Sequence, residues 1–255
     1  MTVTILGSGT SCGVPVIGCQ CEVCRSKDPR DRRLRCSILV ETEQTRLLVD
    51  CGPDFREQIL PQPFRRIDGI LVTHSHYDHV GGMDDIRPYC QFGQINVYAD
   101  PIACKGMLEM LPYCFAEHRY PGVPAIGLHE IHAGTPMCIG DIDFLPVRVM
   151  HGRLPILGYR FGHFAYITDM KTMEDDQVRL LQGVEVLVVN ALRFDNPHHS
   201  HQLVGDAIDF ARRVAARQTY LTHMCHDIGL QEEVDEKLPI DIKLAYDGMK
   251  LEVFG

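Results

Sequence analysis

The feature that most constrains this chain is the segment spanning residues 69–83, where an apolar run ends in four side chains that can bind metal. The run GILVT reads as a strand, and HSHYDHVGGM follows it with His74, His76, Asp78 and His79. Alternate side chains of an extended segment point the same way, so His74 and His76 can share one ion. Asp78 and His79 then face a second ion. Imidazole and carboxylate groups bind divalent metals and leave a position open for water or substrate.

Short apolar runs typical of strands occur in both halves of the chain. They lie at residues 3–6, 37–41, 45–49, 69–73 and 95–98, and again at 142–149, 158–161, 164–168, 184–189, 218–222 and 242–246. A final run at 250–254 is expected to close a hairpin across Asp247 and Gly248. Helical periodicity is clearest over residues 203–214. The pattern predicts an α/β fold in which two sheets lie face to face with helices outside, as one domain over residues 1–255.

Composition and charge exclude several classes of protein. No apolar stretch approaches the ~20 residues that a membrane span needs, and no secretory signal opens the chain, so a soluble cytoplasmic protein is expected. Eleven cysteines are an odd number, which favours reduced thiols or metal ligands over a disulfide framework. The net charge of −9 and the absence of a basic run disfavour nucleic acid as a partner.

The histidine-rich segment resembles the signature of the metallo-β-lactamase superfamily, and later motifs extend the resemblance over nearly the whole chain. A third His, a bridging Asp and a last His are expected after successive strands, and the matching segments are VRVMHG, AYITDM and TYLTHM. The resemblance implies the four-layer αββα sandwich of that fold. It also implies two active-site divalent ions, for which the nitrogen and oxygen donors suit Mn, Zn or Fe, with Mn favoured. The implied ligands are His74, His76 and His151 for one ion, Asp78, His79 and His223 for the other, and Asp169 between them.

Asp50, in the segment LLVDCGPD, matches a superfamily Asp that supports the metal loop without binding metal. A simple turn at the end of a strand explains this residue equally well. The sequence therefore leaves both interpretations of Asp50 open.

A cysteine-rich loop at about residues 18–25 forms a second possible metal site. Cys19, Cys21 and Cys24 have a C-x-C-x-x-C spacing that lets three thiols converge on one soft ion. The stretch GSGTSCGVPVIGCQCEVC resembles the N-terminus of the PhnP-type phosphodiesterases, which serve the carbon–phosphorus lyase pathway. That resemblance implies one structural Zn whose fourth ligand is His226. Cys225 lies beside His226 and is the alternative fourth ligand.

The segment NALRFDNPHHSH, residues 190–201, lies between a predicted strand and a helix, where active-site loops are common. It resembles an H-P-T-H segment of the PhnP-type family, with His198 at its start and His201 in the position of the general acid. The resemblance implies that a metal-bound hydroxide attacks a small cyclic phosphodiester while His201 protonates the leaving oxygen. His201, Asp78 and Asp169 are the expected catalytic residues. The expected partner is a small-molecule substrate, and a homodimer is an assembly compatible with the family.

Three other functions compete with this interpretation. The tRNA 3′-processing endonucleases have a similar ligand set, but their relatives usually carry a substrate arm between the third His and the bridging Asp. Only 17 residues separate His151 from Asp169 here, which is enough for the predicted strands and no arm. Thioester or β-lactam hydrolysis is a second alternative, because fold does not determine substrate. A non-catalytic metal-binding protein is the third, although the ligand set is complete.

Overall fold

The computed structural model describes residues 1–116, 118 and 121–253 of the chain. Within those residues no helix is both long enough and apolar enough to cross a membrane. Two sheets of seven strands each dominate the described structure.

The strands alternate with short connections along the chain. In the described residues they are β1 (Thr2–Gly7), β2 (Ser37–Glu41), β3 (Arg46–Val49), β4 (Gly69–Leu71), β5 (Ile95–Ala99), β6 (Ile126–Glu130), β7 (Met137–Ile139), β8 (Ile142–His151), β9 (Leu154–Phe161), β10 (Phe164–Ile167), β11 (Val186–Asn190), β12 (Gln218–Thr222), β13 (Ile242–Leu244) and β14 (Lys250–Glu252). The first sheet has the order β14-β1-β2-β3-β4-β5-β6, and the second has the order β13-β12-β11-β10-β9-β8-β7. Strands β3 to β6 are parallel to one another, as are β10 to β13.

Helices occupy the connections between strands. The α-helices of the described chain are α1 (Glu22–Arg25), α2 (Phe55–Ile59), α3 (Tyr77–Val80), α4 (Pro101–Met110), α5 (Pro112–Phe115), α6 (Asp175–Arg179), α7 (Val204–Val214) and α8 (Gln231–Lys237). Short 3₁₀ helices cover Pro29–Asp31, Met83–Phe92 and His226–Ile228. Helix α7 was predicted from its periodicity, and in the structure Ala207, Ala211 and Val214 lie on its buried face.

Among the residues that the structure describes, three apolar clusters fill the spaces between the layers of the fold. The central cluster joins side chains of both sheets, such as Val40 and Leu47 of the first with Tyr159 and Phe164 of the second. A second cluster packs the outer face of the first sheet against α2, α4 and the 3₁₀ helix at Met83–Phe92. A third packs the second sheet against α6, α7 and α8. Two apolar sheet faces are thereby covered on both sides, which confirms the predicted α/β sandwich.

The C-terminal hairpin predicted from Asp247 and Gly248 is wrong. Strand β13 lies in the second sheet beside β12, whereas β14 pairs antiparallel with β1 at the edge of the first sheet. The connection crosses between the sheets because the carboxylate of Asp247 accepts hydrogen bonds from Ser8 and from the backbone N–H of Leu34. Phe254, the last residue of the predicted strand, lies outside the described residues.

Candidate metal centre

The candidate metal centre lies at one edge of the sandwich, where strands of both sheets end. In the first sheet, Asp50 directly follows β3, and the histidine-rich loop follows β4. In the second sheet, Asp169 follows β10 and His223 follows β12. Carboxyl ends of parallel strands meet at the same sheet edge, and crevices there are common ligand sites. This topology brings together residues that are as much as 173 positions apart in the sequence, from Asp50 to His223.

His74, His76 and His151 form the first group, and each offers a nitrogen within 4.8 Å of the others. The Nε2 of His74 is 3.0 Å from Nδ1 of His76. His151 donates from Nδ1 to the carbonyl oxygen of Asp169 at 2.8 Å, so its Nε2 is the nitrogen that is free to bind metal. His74 is buried, His151 is half-buried and His76 is exposed. The first group therefore opens to solvent on the side of His76.

Asp78, His79, Asp169 and His223 form the second group, and all four side chains are buried. Asp169 places one carboxylate oxygen 3.2 Å from Nε2 of His79 and the other 3.0 Å from Nε2 of His223. Asp78 contacts the same two nitrogens at 3.3 and 3.7 Å. Asp169 also groups with His151. Its carboxylate consequently lies between the first and second groups, where the sequence predicted a bridging ligand.

The carboxylate of Asp50 organises this loop from behind. It contacts Nδ1 of His79 at 2.7 Å and accepts hydrogen bonds from the backbone N–H and the hydroxyl of Thr73. The Thr73 hydroxyl oxygen is 3.0 Å from Nδ1 of His74, so it can accept that proton while donating its own to Asp50. Both imidazoles are thus held with Nε2 directed away from Asp50. Of the two interpretations of Asp50, these contacts favour support of the metal loop.

Three residues at this edge have left-handed backbone conformations. The φ angles are +63° at Asp50, +56° at Asp169 and +56° at His223. Residues other than glycine rarely adopt the left-handed backbone conformation. Those that do cluster at functional sites, where the surrounding structure imposes the conformation. At each of these three residues the backbone turns away from the strand, and the side chain points back into the crevice.

His201 lies against both groups. Its ring stacks on His223 at 4.7 Å between centroids and approaches His151 at 4.8 Å, and its Nδ1 is 3.7 Å from a carboxylate oxygen of Asp169. Burial and the neighbouring charge of His223 lower the pKa of His201 to about 3, against the opposing effect of Asp169. Burial of the ring, which the sequence does not reveal, therefore opposes protonation of the residue expected to act as general acid.

Cys19, Cys21, Cys24 and His226 form a separate group, also within 4.8 Å of one another. Nδ1 of His226 is 3.2, 3.3 and 3.5 Å from the three thiol sulfur atoms, in the order of the chain. Cys225 does not join this group among the described residues, and its backbone N–H donates to Leu192 instead. The geometry thus favours His226 over Cys225 as the fourth ligand.

The imidazole and carboxylate groups in the crevice at the carboxyl ends of the strands fit divalent metal ions. Nε2 of His79 and both ring nitrogens of His223 are buried without a hydrogen-bond partner among the described residues. Burial opposes protonation of His223, but the charges of Asp169 and Asp78 outweigh it and raise its pKa to about 9. Imidazole nitrogens without a hydrogen-bond partner, facing buried carboxylates, form a donor set that suits a divalent cation. The three thiols and one imidazole of the separate group suit zinc.

Sequence reasoning missed two residues of this region. Thr73 connects Asp50 to His74, and Asn190 hydrogen-bonds to the backbone of Met170 beside Asp169. The available signal was a polar residue at the end of an apolar run, as in GILVT and VLVVN. Such a residue has no specific meaning until its neighbours in space are known.

Comparison with known proteins places the chain in a family. The sequence model of the family described as "Beta-lactamase superfamily domain" matches residues 45–224. A solved structure of a diphosphatase from the PhnP family is 39% identical, with a TM-score of 0.91 over 98% of this chain and 96% of that chain.

Two curated relatives carry other names. A ribonuclease Z of Methanopyrus kandleri is 27% identical over 88% of this chain and 94% of its own. An octanoyltransferase of Porphyromonas gingivalis is 41% identical over 98% of this chain, and this chain spans only 51% of that protein's length. The family match and the diphosphatase structure agree with each other, and the chain therefore belongs to the metallo-β-lactamase superfamily of hydrolases and stands close to its PhnP family.

Proposed function

We propose that this protein is a dinuclear metal-dependent phosphodiesterase that hydrolyses small, cyclic phosphodiesters. The observation that carries the proposal is the pair of ligand groups that meet at the carboxylate of Asp169. Two metal sites that share a carboxylate suit displacement at phosphorus, because both the attacking and the leaving oxygen need stabilisation. The 39% identity to a PhnP-family diphosphatase supports phosphoryl chemistry over other reactions of this fold.

In this proposal His74, His76 and His151 hold one ion, Asp78, His79 and His223 hold the other, and Asp169 contacts both. When bound, divalent ions supply Lewis acidity and make a water molecule acidic enough to act as a nucleophile near neutral pH. Manganese or zinc fits the nitrogen and oxygen donors. Asp78 and Asp169 also provide acceptors that can orient an attacking water molecule.

His201 is proposed to stabilise the leaving oxygen. Its ring lies beside His151 and His223, at the border of both ligand groups. A neutral imidazole can donate an N–H hydrogen bond to the leaving oxygen. A bound phosphodiester anion raises the pKa of a neighbouring imidazole, which brings His201 closer to proton transfer than in the unliganded site.

The segment between His151 and Asp169 and the net charge of the chain both support a small substrate. Residues 152–168 form the hairpin of β9 and β10, so this connection contains no arm that could hold a folded RNA. The net charge of −9 opposes binding to a polyanion, which depends on phosphate contacts from basic residues. Ribonuclease activity is therefore the weaker proposal, despite the resemblance to ribonuclease Z.

Two further reactions have a specific observation in their favour. The diphosphatase relative favours cleavage of a diphosphate bridge, which needs the same two-metal arrangement. The octanoyltransferase relative favours an acyl thioester, although this chain spans only 51% of that protein's length. Either substrate is compatible with the fold.

One substrate panel tests these proposals. Metal-stripped protein reloaded with Mn²⁺ or Zn²⁺ is offered bis(p-nitrophenyl) phosphate, p-nitrophenyl phosphate, a cyclic nucleotide, a disubstituted diphosphate, an octanoyl thioester, a chromogenic β-lactam and a tRNA precursor. We expect turnover of the phosphodiesters, loss of it in His76→Ala, and no change in His129→Ala, which alters an exposed His on β6. Activity on the diphosphate, thioester, β-lactam or tRNA alone would refute the phosphodiesterase proposal and identify that compound's class as the substrate. Metal binding without any turnover would indicate a non-catalytic protein.

We also propose that Cys19, Cys21, Cys24 and His226 hold one structural zinc ion. The site would join α1 and the loop that precedes it to the segment after β12, which carries His223 and His226. Because binding energy at such a site contributes directly to folding, the ion would stabilise the edge of the metal centre.

A further inference from the structure

We infer that Asn190 is a positioning residue for the metal centre, because its amide holds the backbone that sets the carboxylate of Asp169. This inference rests on the proposed function only in assigning Asp169 as a metal ligand. Asn190 lies at the end of β11, between β10, which leads to Asp169, and β12, which leads to His223. It belongs to neither ligand group among the described residues.

The side chain of Asn190 forms two hydrogen bonds with one residue. Its Oδ1 accepts from the backbone N–H of Met170 at 2.7 Å, and its Nδ2 donates to the carbonyl oxygen of Met170 at 2.9 Å. Only one orientation of the amide satisfies both contacts, since a backbone N–H cannot accept and a carbonyl oxygen cannot donate. The side chain is fully buried, so no bulk water can replace either bond.

Met170 is a sensitive point for the site because it follows Asp169, whose φ angle is +56°. A residue other than glycine holds this conformation only where its surroundings impose it. On the other side, the Lys171 N–H donates to the Met150 carbonyl at 2.7 Å, and the Met150 N–H donates to the Thr172 carbonyl at 2.9 Å. The turn after β10 is thus fixed by the side chain of Asn190 and by the end of β8.

Both ligand groups depend on this turn. The carboxylate of Asp169 faces His79 and His223, while the carbonyl oxygen of Asp169 accepts from Nδ1 of His151. A shift of Met170 would therefore move a bridging carboxylate and would also loosen the imidazole of His151. Groups that orient metal ligands in this way typically contribute 10–100-fold to metal affinity.

The test compares Asn190→Leu, which keeps the size of the side chain and removes both hydrogen bonds, with Gln177→Met. Gln177 is a matched control because it is also a buried amide, and its Oε1 accepts from the backbone N–H of Arg148 on β8. Each metal-stripped protein is titrated with Mn²⁺ by calorimetry, the bound metal is counted, and the thermal midpoint of unfolding is recorded. A third variant, Asn190→Asp, keeps an acceptor for the Met170 N–H.

We expect Asn190→Leu to weaken Mn²⁺ binding by about 10–100-fold and Asn190→Asp to weaken it less. Gln177→Met should lower the thermal midpoint to a similar degree and leave Mn²⁺ affinity unchanged. Equal affinity in Asn190→Leu and wild type, or an equal loss in the Gln177 control, would overturn the inference. If Asn190→Leu does not fold, unchanged affinity in Asn190→Asp would overturn it instead. Wild-type protein that binds Mn²⁺ but hydrolyses no phosphodiester would refute the proposed function and leave the inference intact.

Discussion

Asp50 and His79 contact each other at 2.7 Å, carboxylate oxygen to Nδ1, and both side chains are completely buried. The same carboxylate accepts two hydrogen bonds from Thr73. The positions of the protons on His79 and His74 therefore depend on a residue that lies outside both ligand groups.

Asp50→Asn should weaken active-site metal binding by about 10–100-fold. The carboxylate now accepts from the Thr73 N–H, the Thr73 hydroxyl and Nδ1 of His79. The amide of Asn would replace one acceptor oxygen with an NH₂ donor, which would face one of these donors. Metal titration of the stripped protein, followed by turnover of a phosphodiester, would measure the effect. Asp68→Asn is the control, since Asp68 precedes β4 and accepts from the backbone N–H of Arg46, away from the ligand groups. Equal metal affinity in Asp50→Asn and wild type would contradict this role.

His201→Ala should slow hydrolysis of diesters with a poor leaving group, such as an alkoxide, by roughly 10²–10⁴-fold. The effect should be much smaller for p-nitrophenolate, which departs without protonation. The measurement is kcat for a series of leaving groups, with bound metal counted in each sample. His199→Ala alters an exposed neighbour in the same loop and should behave as wild type. A loss that is independent of the leaving group would assign His201 to metal binding, which its proximity to His151 and Asp169 permits.

Cys24→Ala should remove one zinc ion per chain and lower the thermal midpoint by roughly 10 °C, because a loss of several kcal/mol shifts the midpoint of a chain of this size by that order. Elemental analysis and thermal unfolding would measure both effects. Cys225→Ser tests the alternative fourth ligand and should retain the zinc, and so should Cys12→Ser at an exposed thiol outside the group. Mild chelation should remove active-site metal before this zinc ion. Zinc retained in Cys24→Ala would refute the site.

Asp247 should make the free energy of unfolding depend on pH. Burial raises the pKa of its carboxyl group to about 7, although hydrogen bonds from Leu34 and Ser8 and the charge of Arg33 act in the opposite direction. Because the folded pKa exceeds the unfolded value, the unfolded chain ionises first as pH rises from about 4 to about 7, and stability decreases over that window. The loss amounts to at most ~4 kcal/mol and remains constant above the window.

The measurement is the free energy of unfolding in urea at several pH values for wild type and Asp247→Asn. The variant should show a flatter profile between pH 4 and 7, with a constant cost from the unpaired Leu34 N–H. Parallel profiles for the two proteins would mean that Asp247 ionises normally in the folded state.

Local sequence determined much of this protein. The apolar run ending in His74, His76, Asp78 and His79 predicted both a strand and a metal-binding loop, because strand alternation and ligand chemistry act over a few residues. The strand at Ser37–Glu41 and the helix at Val204–Val214 were likewise predictable from periodicity. Strands β6 and β7 were not predicted, because their runs are short and alternate weakly between buried and exposed residues.

Only the tertiary structure decided how distant segments meet. The strand after Asp247 joins the first sheet, because hydrogen bonds to Ser8 and Leu34, more than 200 residues earlier, outweigh a local turn signal. The lowered pKa of His201 and the two hydrogen bonds between Asn190 and Met170 likewise depend on burial and on contacts between strands. Burial and hydrogen-bond geometry are properties of residues close in space, and the sequence specifies them only through the complete fold.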